Sequence, residues 1–131
     1  ANPNVIYAFV DNHYKKREPN PGEQDSYHRP KIVVIKGAEV YKSADKGETW
    51  RLMSMHDDYM EFFSGTYGWV FGQIRVHPKD EHKIYLMGLD LASSSDDGKT
   101  WKSLTKGPRV LQPGYTVTTT LYGLTLQIQT I

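Results

Sequence analysis

An eight-residue string occurs twice in this chain: Ser43-Ala44-Asp45-Lys46-Gly47-Glu48-Thr49-Trp50 returns 51 residues later as Ser94-Ser95-Asp96-Asp97-Gly98-Lys99-Thr100-Trp101. The shared pattern is S-x-D-x-G-x-T-W. Five fixed positions at a constant offset mark an internal repeat, which restricts the fold to one assembled from like units. Each copy has the chemistry of a tight reversal between two strands. The Asp carboxylate can accept from backbone N–H groups of the turn, Gly can take a backbone angle closed to other residues, and the Ser and Thr hydroxyls satisfy remaining donors. The Trp opens the next strand and is expected to bury against a neighbouring layer. Ser43, Asp45, Gly47, Thr49 and Trp50, with Ser94, Asp96, Gly98, Thr100 and Trp101, are therefore read as structural residues. A calcium loop of the helix-loop-helix type needs further carboxylates at alternate positions and a closing Glu, which neither copy has.

A fainter echo lies upstream, where Asn2-Pro3 with Ile6-Tyr7 is matched by His77-Pro78 with Ile84-Tyr85. Tyr7 and Tyr85 are 78 apart, so subtracting the offset of 51 leaves 27 extra residues in the first unit, between Asp11 and Lys36. That stretch carries Lys15-Lys16-Arg17, Pro19, Pro21 and Gly22 and is expected to be a long loop. Nine Tyr, three Trp and four Phe among Val, Ile and Thr, punctuated by eleven Gly and seven Pro, make the class all-β. Candidate strands are Val5 to Val10, Ile32 to Ile35, Ala38 to Lys42, Trp50 to Ser54, Gln73 to His77, Lys83 to Gly88, Leu91 to Ser94 and Trp101 to Leu104. His56 to Phe63 is the one helix-like stretch. In the tail, Leu124, Leu126 and Ile128 alternate with polar residues, which predicts a hairpin of Tyr115 to Leu121 with Leu124 to Ile131.

The repeated string resembles the Asp-box of the bacterial neuraminidase repeat, a family of β-propellers that includes sialidases, sortilin-type ectodomains, endo-glucanases and photosystem assembly factors. The resemblance covers roughly Asn2 to Leu104. It implies a partial β-propeller, with residues 1–110 making about two four-stranded antiparallel blades joined by Asp-box turns. The first blade lacks its innermost strand, and residues 111–131 form an atypical C-terminal β-hairpin. Two blades do not close a ring of the usual 4 to 8 or so, so their open flanks predict association into a homo-oligomer. The resemblance also admits a glycoside hydrolase of the endo-glucanase-like type, or a sortilin-like protein-interaction scaffold. Sialidase activity is not expected, because the arginine triad and the Tyr-Glu nucleophile pair find no matching positions. The tail suggests a frameshift: third-base freedom lets Tyr115 to Ile131 be read one register over as YGDHHALWIDPANPNH. That peptide resembles a missing innermost strand followed by the Asn2-Pro3-Asn4 turn, with the shift placed near Val110 to Gly114.

Because strands in a blade alternate in direction, the Asp-box turns share one face and the elaborated loops share the other. The stretches Asp11 to Lys36 and Met55 to Phe71 and the connection at Asp90 thus converge on a loop face, where binding usually resides. Met55 to Phe71 holds six of the sixteen aromatics. Tyr59, Tyr67 and Trp69, with His13 and His56, are the expected ligand contacts. The expected ligand is a glycan or a protein, aromatic rings and carboxylates together suiting sugar C–H faces and hydroxyls. A glycosidase needs two carboxyl groups about 5 to 9.5 Å apart. Asp11, Asp90, Asp58 and Glu61, beside Asp57, are the candidates on this face, and nothing in their spacing selects a pair. Lys15-Lys16-Arg17 with Arg29 and Lys31 offers a basic alternative for an acidic ligand.

Other classes find no support. Sixteen basic against fifteen acidic side chains give a net charge of +1, without the footprint of a nucleic-acid or membrane-surface binder. No apolar run nears the roughly 20 residues of a spanning helix, so a soluble chain is expected, secreted or periplasmic in an intact parent. The five His lack ligand spacing and there is no Cys, so no metal and no cofactor are expected.

Overall fold

Short runs of aromatic and β-branched residues between closely spaced glycines and prolines pair with their sequence neighbours, because each reversal leaves the next run beside the last. The computed structural model describes residues 2–25, 27–64, 72–88 and 90–105, with the backbone of 116–121 and 124–129. β1 (Ile6–Arg17), β2 (Val34–Ser43) and β3 (Arg51–Leu52) form a three-stranded antiparallel sheet in chain order. After the helix α1 (Asp58–Ser64), β4 (Gln73–His77), β5 (Asp80–Met87), β6 (Leu91–Ser94) and β7 (Lys102–Ser103) form a four-stranded one. β8 (Thr116–Leu121) and β9 (Leu124–Gln129) pair as a hairpin. The stretch Val110 to Gly114 lies outside the described residues.

The repeat survives as geometry. Ile6 faces Ser43 as Ile84 faces Ser94, Tyr7 faces Lys42 as Tyr85 faces Ser93, and Tyr41 faces Leu52 as Ala92 faces Ser103. Lys46 N donates to Asn4 O at 3.0 Å, as Asp97 N donates to His82 O at 3.1 Å. The 27 extra residues therefore lie between Val10 and Glu39. They are not wholly a loop, because the β1–β2 ladder runs on through Asn12↔Gly37 and Lys15↔Ile35 to Arg17↔Val34, with two register shifts. Ile32 to Ile35, expected as a strand of its own, instead feeds the start of β2. Only residues 18–33 are left to form the loop at the tip of this two-stranded arm.

The core lies between the two large sheets. Tyr7, Ala38 and Val40 of the first meet Ile84, Leu86 and Ala92 of the second, and all are buried. Helix α1 closes the loop end of this core. Asp57 caps it, its Oδ1 accepting from Met60 N at 2.8 Å, and Met60 and Phe63 point inward. Phe63 meets Phe9 edge-on at 5.9 Å. Full burial of such side chains stabilises by about 1.5 to 3 kcal/mol each. Gly37 lets the helix come this close: its φ is +82°, and a Cβ there would stand 2.6 Å from the Glu61 Cα. The outer strands β3 and β7 are two residues each, which limits the ladder they offer to another chain.

Candidate functional site

The arm and α1 bound an open cleft of about 940 Å³ at the end of the sheets opposite the repeated turns. One wall is the loop, with Pro30, Ile32 and Val33, continued by Ile35 of β2; the other is the helix, with Asp58, Glu61 and Phe62. Ile32 is 91% exposed. The loop holds its shape through local bonds. Asp25 Oδ1 accepts from Tyr27 N and Arg29 N at 2.8 and 2.9 Å, and the Arg29 guanidinium lies 5.0 Å over the Tyr27 ring. These contacts lower the Asp25 pKa, the Arg29 backbone bond leading.

A chain of ion pairs ties loop to helix. Arg17 grips Glu23 with both terminal nitrogens at 2.9 and 3.1 Å. Lys31 Nζ then bridges Glu23 at 3.1 Å and Glu61 at 2.6 Å, with Lys16 3.8 Å from the far oxygen of Glu61. The Arg17 guanidinium, then the Asn20 N–H, hold the Glu23 carboxyl down to about 2. Burial disfavours the Lys31 ammonium, but its bonds to Glu61 and Glu23 prevail and raise its pKa.

The expected carboxylates divide by what already occupies them. Asp90 is a structural cap: Oδ1 accepts from Leu91 N at 2.8 Å, Ser103 Oγ at 3.1 Å and Thr105 Oγ1, and Oδ2 accepts from Tyr59 OH at 3.0 Å. Tyr59, expected as a ligand contact, thus turns its hydroxyl to Asp90. Asp58 is exposed on the cleft wall, and Glu61 is engaged by the two lysines. Asp11, at the base of the arm, meets exposed His13 at 2.8 Å through Oδ2, while its buried Oδ1 has no hydrogen-bond partner among the described residues. Tyr67 and Trp69 lie outside the described residues.

His56 reveals a group that the sequence reading missed. Its Nε2 lies 2.5 Å from Glu39 Oε1, and Tyr41 OH donates to Glu39 Oε2 at 2.9 Å. Glu39 is 3% exposed. Burial would raise its pKa, but the bonds from Asn12, His56 and Tyr41 outweigh it and lower the value. The signal was available: Glu39 is Asp90 shifted by the repeat offset of 51. Asp90 stands just ahead of β6 and Glu39 within the longer β2, and each is touched by a tyrosine hydroxyl.

The arrangement offers a preformed cleft with mixed apolar and ionic walls and, apart from it, a half-exposed imidazole held by a buried carboxylate. Among the described residues no cluster of three His, Asp or Glu is disposed to hold a metal ion, and no helix is long and apolar enough to cross a membrane. Comparison with known family models, curated proteins and solved structures returns no match.

Proposed function

We propose that the chain is two blades of an Asp-box β-propeller that act as a binding module, taking a protein segment in the cleft between the arm and α1. The observation that carries this is the cleft itself: a strongly exposed Ile32 beside Val33, Pro30 and Phe62, framed by the ion pairs of Arg17, Glu23, Lys31 and Glu61, of which Glu61 Oε2 alone keeps no hydrogen-bond partner among the described residues. Its volume, about 940 Å³, is at the upper end of the roughly 300 to 1,000 Å³ of ligand sites. Apolar anchors inside a polar frame suit a peptide whose side chains displace water while its backbone meets the charged edge. A sugar platform needs flat aromatic faces, and Phe62 is the one aromatic side chain among the described residues of that lining. Panning a random peptide library on the immobilised chain should enrich apolar-centred sequences whose capture is lost with Ile32→Asp. Enrichment indifferent to that substitution, or retention of glycans alone on an array, would sink the reading.

A glycoside hydrolase is the second reading, and Asp11 favours it, since its Oδ1 has no hydrogen-bond partner among the described residues and would be left to act once a substrate displaced the groups that cover it. Hydrolysis of a polysaccharide panel that disappears with Asp11→Asn would establish it. Loss of activity with Asp90→Asn would be ambiguous, because Asp90 holds β6, β7 and Tyr59 together.

A further inference from the structure

The first sheet has two faces, and one of them is a seat already seen filled elsewhere in the molecule. On the second sheet the equivalent face is made by Ile84, Leu86, Gly98, Asp97 and Trp101, and it receives Tyr7, Phe9, Val40 and Lys42 of the first sheet. A Cβ on Gly98 would lie 3.1 Å from Val40 Cγ1 and 3.2 Å from Ile84 Cδ1. At the polar centre, Asp97 Oδ1 accepts from Tyr7 OH at 2.6 Å and Lys42 Nζ at 2.7 Å, and meets His82 at 3.0 Å.

The offsets of 78 and 51 carry Ile84, Leu86, Gly98, Asp97 and Trp101 onto Ile6, Ala8, Gly47, Lys46 and Trp50, and the ladder registers agree. Among the described residues nothing covers this seat: Ile6 is 39% and Trp50 44% exposed, whereas Ile84 and Leu86 are 0%. The charge at its centre is reversed, a lysine standing where the filled seat has an aspartate.

We infer that this face of the first sheet is a docking surface for one further sheet of the same repeat, and that the incoming sheet carries a carboxylate where the first sheet carries Lys42. Lys46 selects it, since a basic residue there would set two ammonium groups together in a partly desolvated junction. A second copy of this chain is a poor occupant. Its first-sheet plug is already used, and the corresponding plug on its second sheet has Tyr85 and Leu91 buried and a neutral Ser93 in place of Lys42. The inference rests on the repeat and the two-sheet junction, not on what the cleft binds, so a failed peptide screen leaves it standing.

The test places an added copy of residues 2–54 ahead of the full chain through a flexible linker, with position 42 of the added copy randomised, and selects displayed proteins for protease resistance. Asp and Glu at that position should be enriched over Lys and Arg by about fivefold, the worth of one partly buried ion pair. In a host carrying Lys46→Glu the preference should invert. Absence of charge preference, or the same preference in both hosts, overturns the inference. So does protection of Trp50 from acrylamide in the unfused chain as its concentration rises, since that would make a second copy the occupant.

Discussion

The two S-x-D-x-G-x-T-W turns are chemically alike and mechanically different. In the first, Asp45 accepts from Ser43 Oγ at 2.7 Å, Thr49 N at 2.9 Å and Thr49 Oγ1 at 2.6 Å; in the second, Asp96 accepts from Ser94 Oγ, Thr100 N and Thr100 Oγ1 at the same three distances. Each Trp indole N–H returns to its Gly carbonyl, at 3.0 and 2.9 Å. The residue before the Gly is left-handed in both, Lys46 at φ 61° and Asp97 at φ 64°. What differs is the neighbour. The second turn is wedged into the junction of the sheets, while the first faces open surface. The lesson is that the fixed letters of the motif build the turn, and the variable letter before Gly decides what the turn joins.

The largest effect should come from adding a methyl group to each glycine. Both adopt positive φ, so Gly47→Ala and Gly98→Ala each incur about 1 kcal/mol of backbone strain. At Gly98 the new Cβ also strikes Val40 and Ile84, for a total near 3 kcal/mol by chemical denaturation. Equal losses at the two sites would mean the junction is not tightly packed. Next comes the variable letter. Asp97→Ala leaves Lys42 without its acceptor and Tyr7 OH with the Glu81 carbonyl alone, and should cost about 2 kcal/mol, against less than about 0.5 for Lys46→Ala.

Acid should reach the same carboxylate. Burial works against the Asp97 charge, but Lys42, Tyr7 and His82 overcome it and bring its pKa from 3.8 down to about 2. A depressed folded value means that its stabilisation is complete above about pH 4 and is lost as pH falls towards 2. Asp97→Asn should flatten that limb of the stability curve, and an unchanged limb would assign acid unfolding to other carboxylates. Smaller still is the difference between Asp45→Ala and Asp96→Ala: with identical bonds in the two turns, both should lower the denaturation midpoint to a similar extent. Least perturbing is Trp50→Phe, expected to remove more acrylamide-quenchable emission than Trp101→Phe, since Trp50 is the more exposed.

Much of this was legible because a repeat is read twice. The paired strings located both turns, and the 78 and 51 offsets matched Tyr7 with Tyr85 before any register was known. The helix was visible in the spacing of Tyr59 and Phe63. Other features depend on contacts that no local pattern encodes. Asp97 occupies a variable position, so the comparison that exposes the turn passes over the residue that locks the junction. Glu39 reads locally as a polar residue in a strand; the repeat offset aligns it with Asp90, and burial beside His56 shows it as a held carboxylate. The loop assigned to Asp11 to Lys36 was too long because its strands pair across two irregularities that mask the alternation. Asp90 looked free for chemistry because a short hairpin connection conceals how many donors converge on it.

The arm joins its sheet beyond the last pair that the two units share. Phe9↔Val40 and Val10↔Glu39 keep the spacing that Met87↔Leu91 keeps around the short turn at Gly88 to Asp90. Lengthening a closed loop costs little, each doubling adding only about 0.6 kcal/mol. The tip of the arm, residues 18–33, is therefore a cassette hung on a finished ladder, free to be lengthened, shortened or rewritten by evolution or by a grafting experiment while Gly37 and Ala38 at its root keep seating α1 and filling the core.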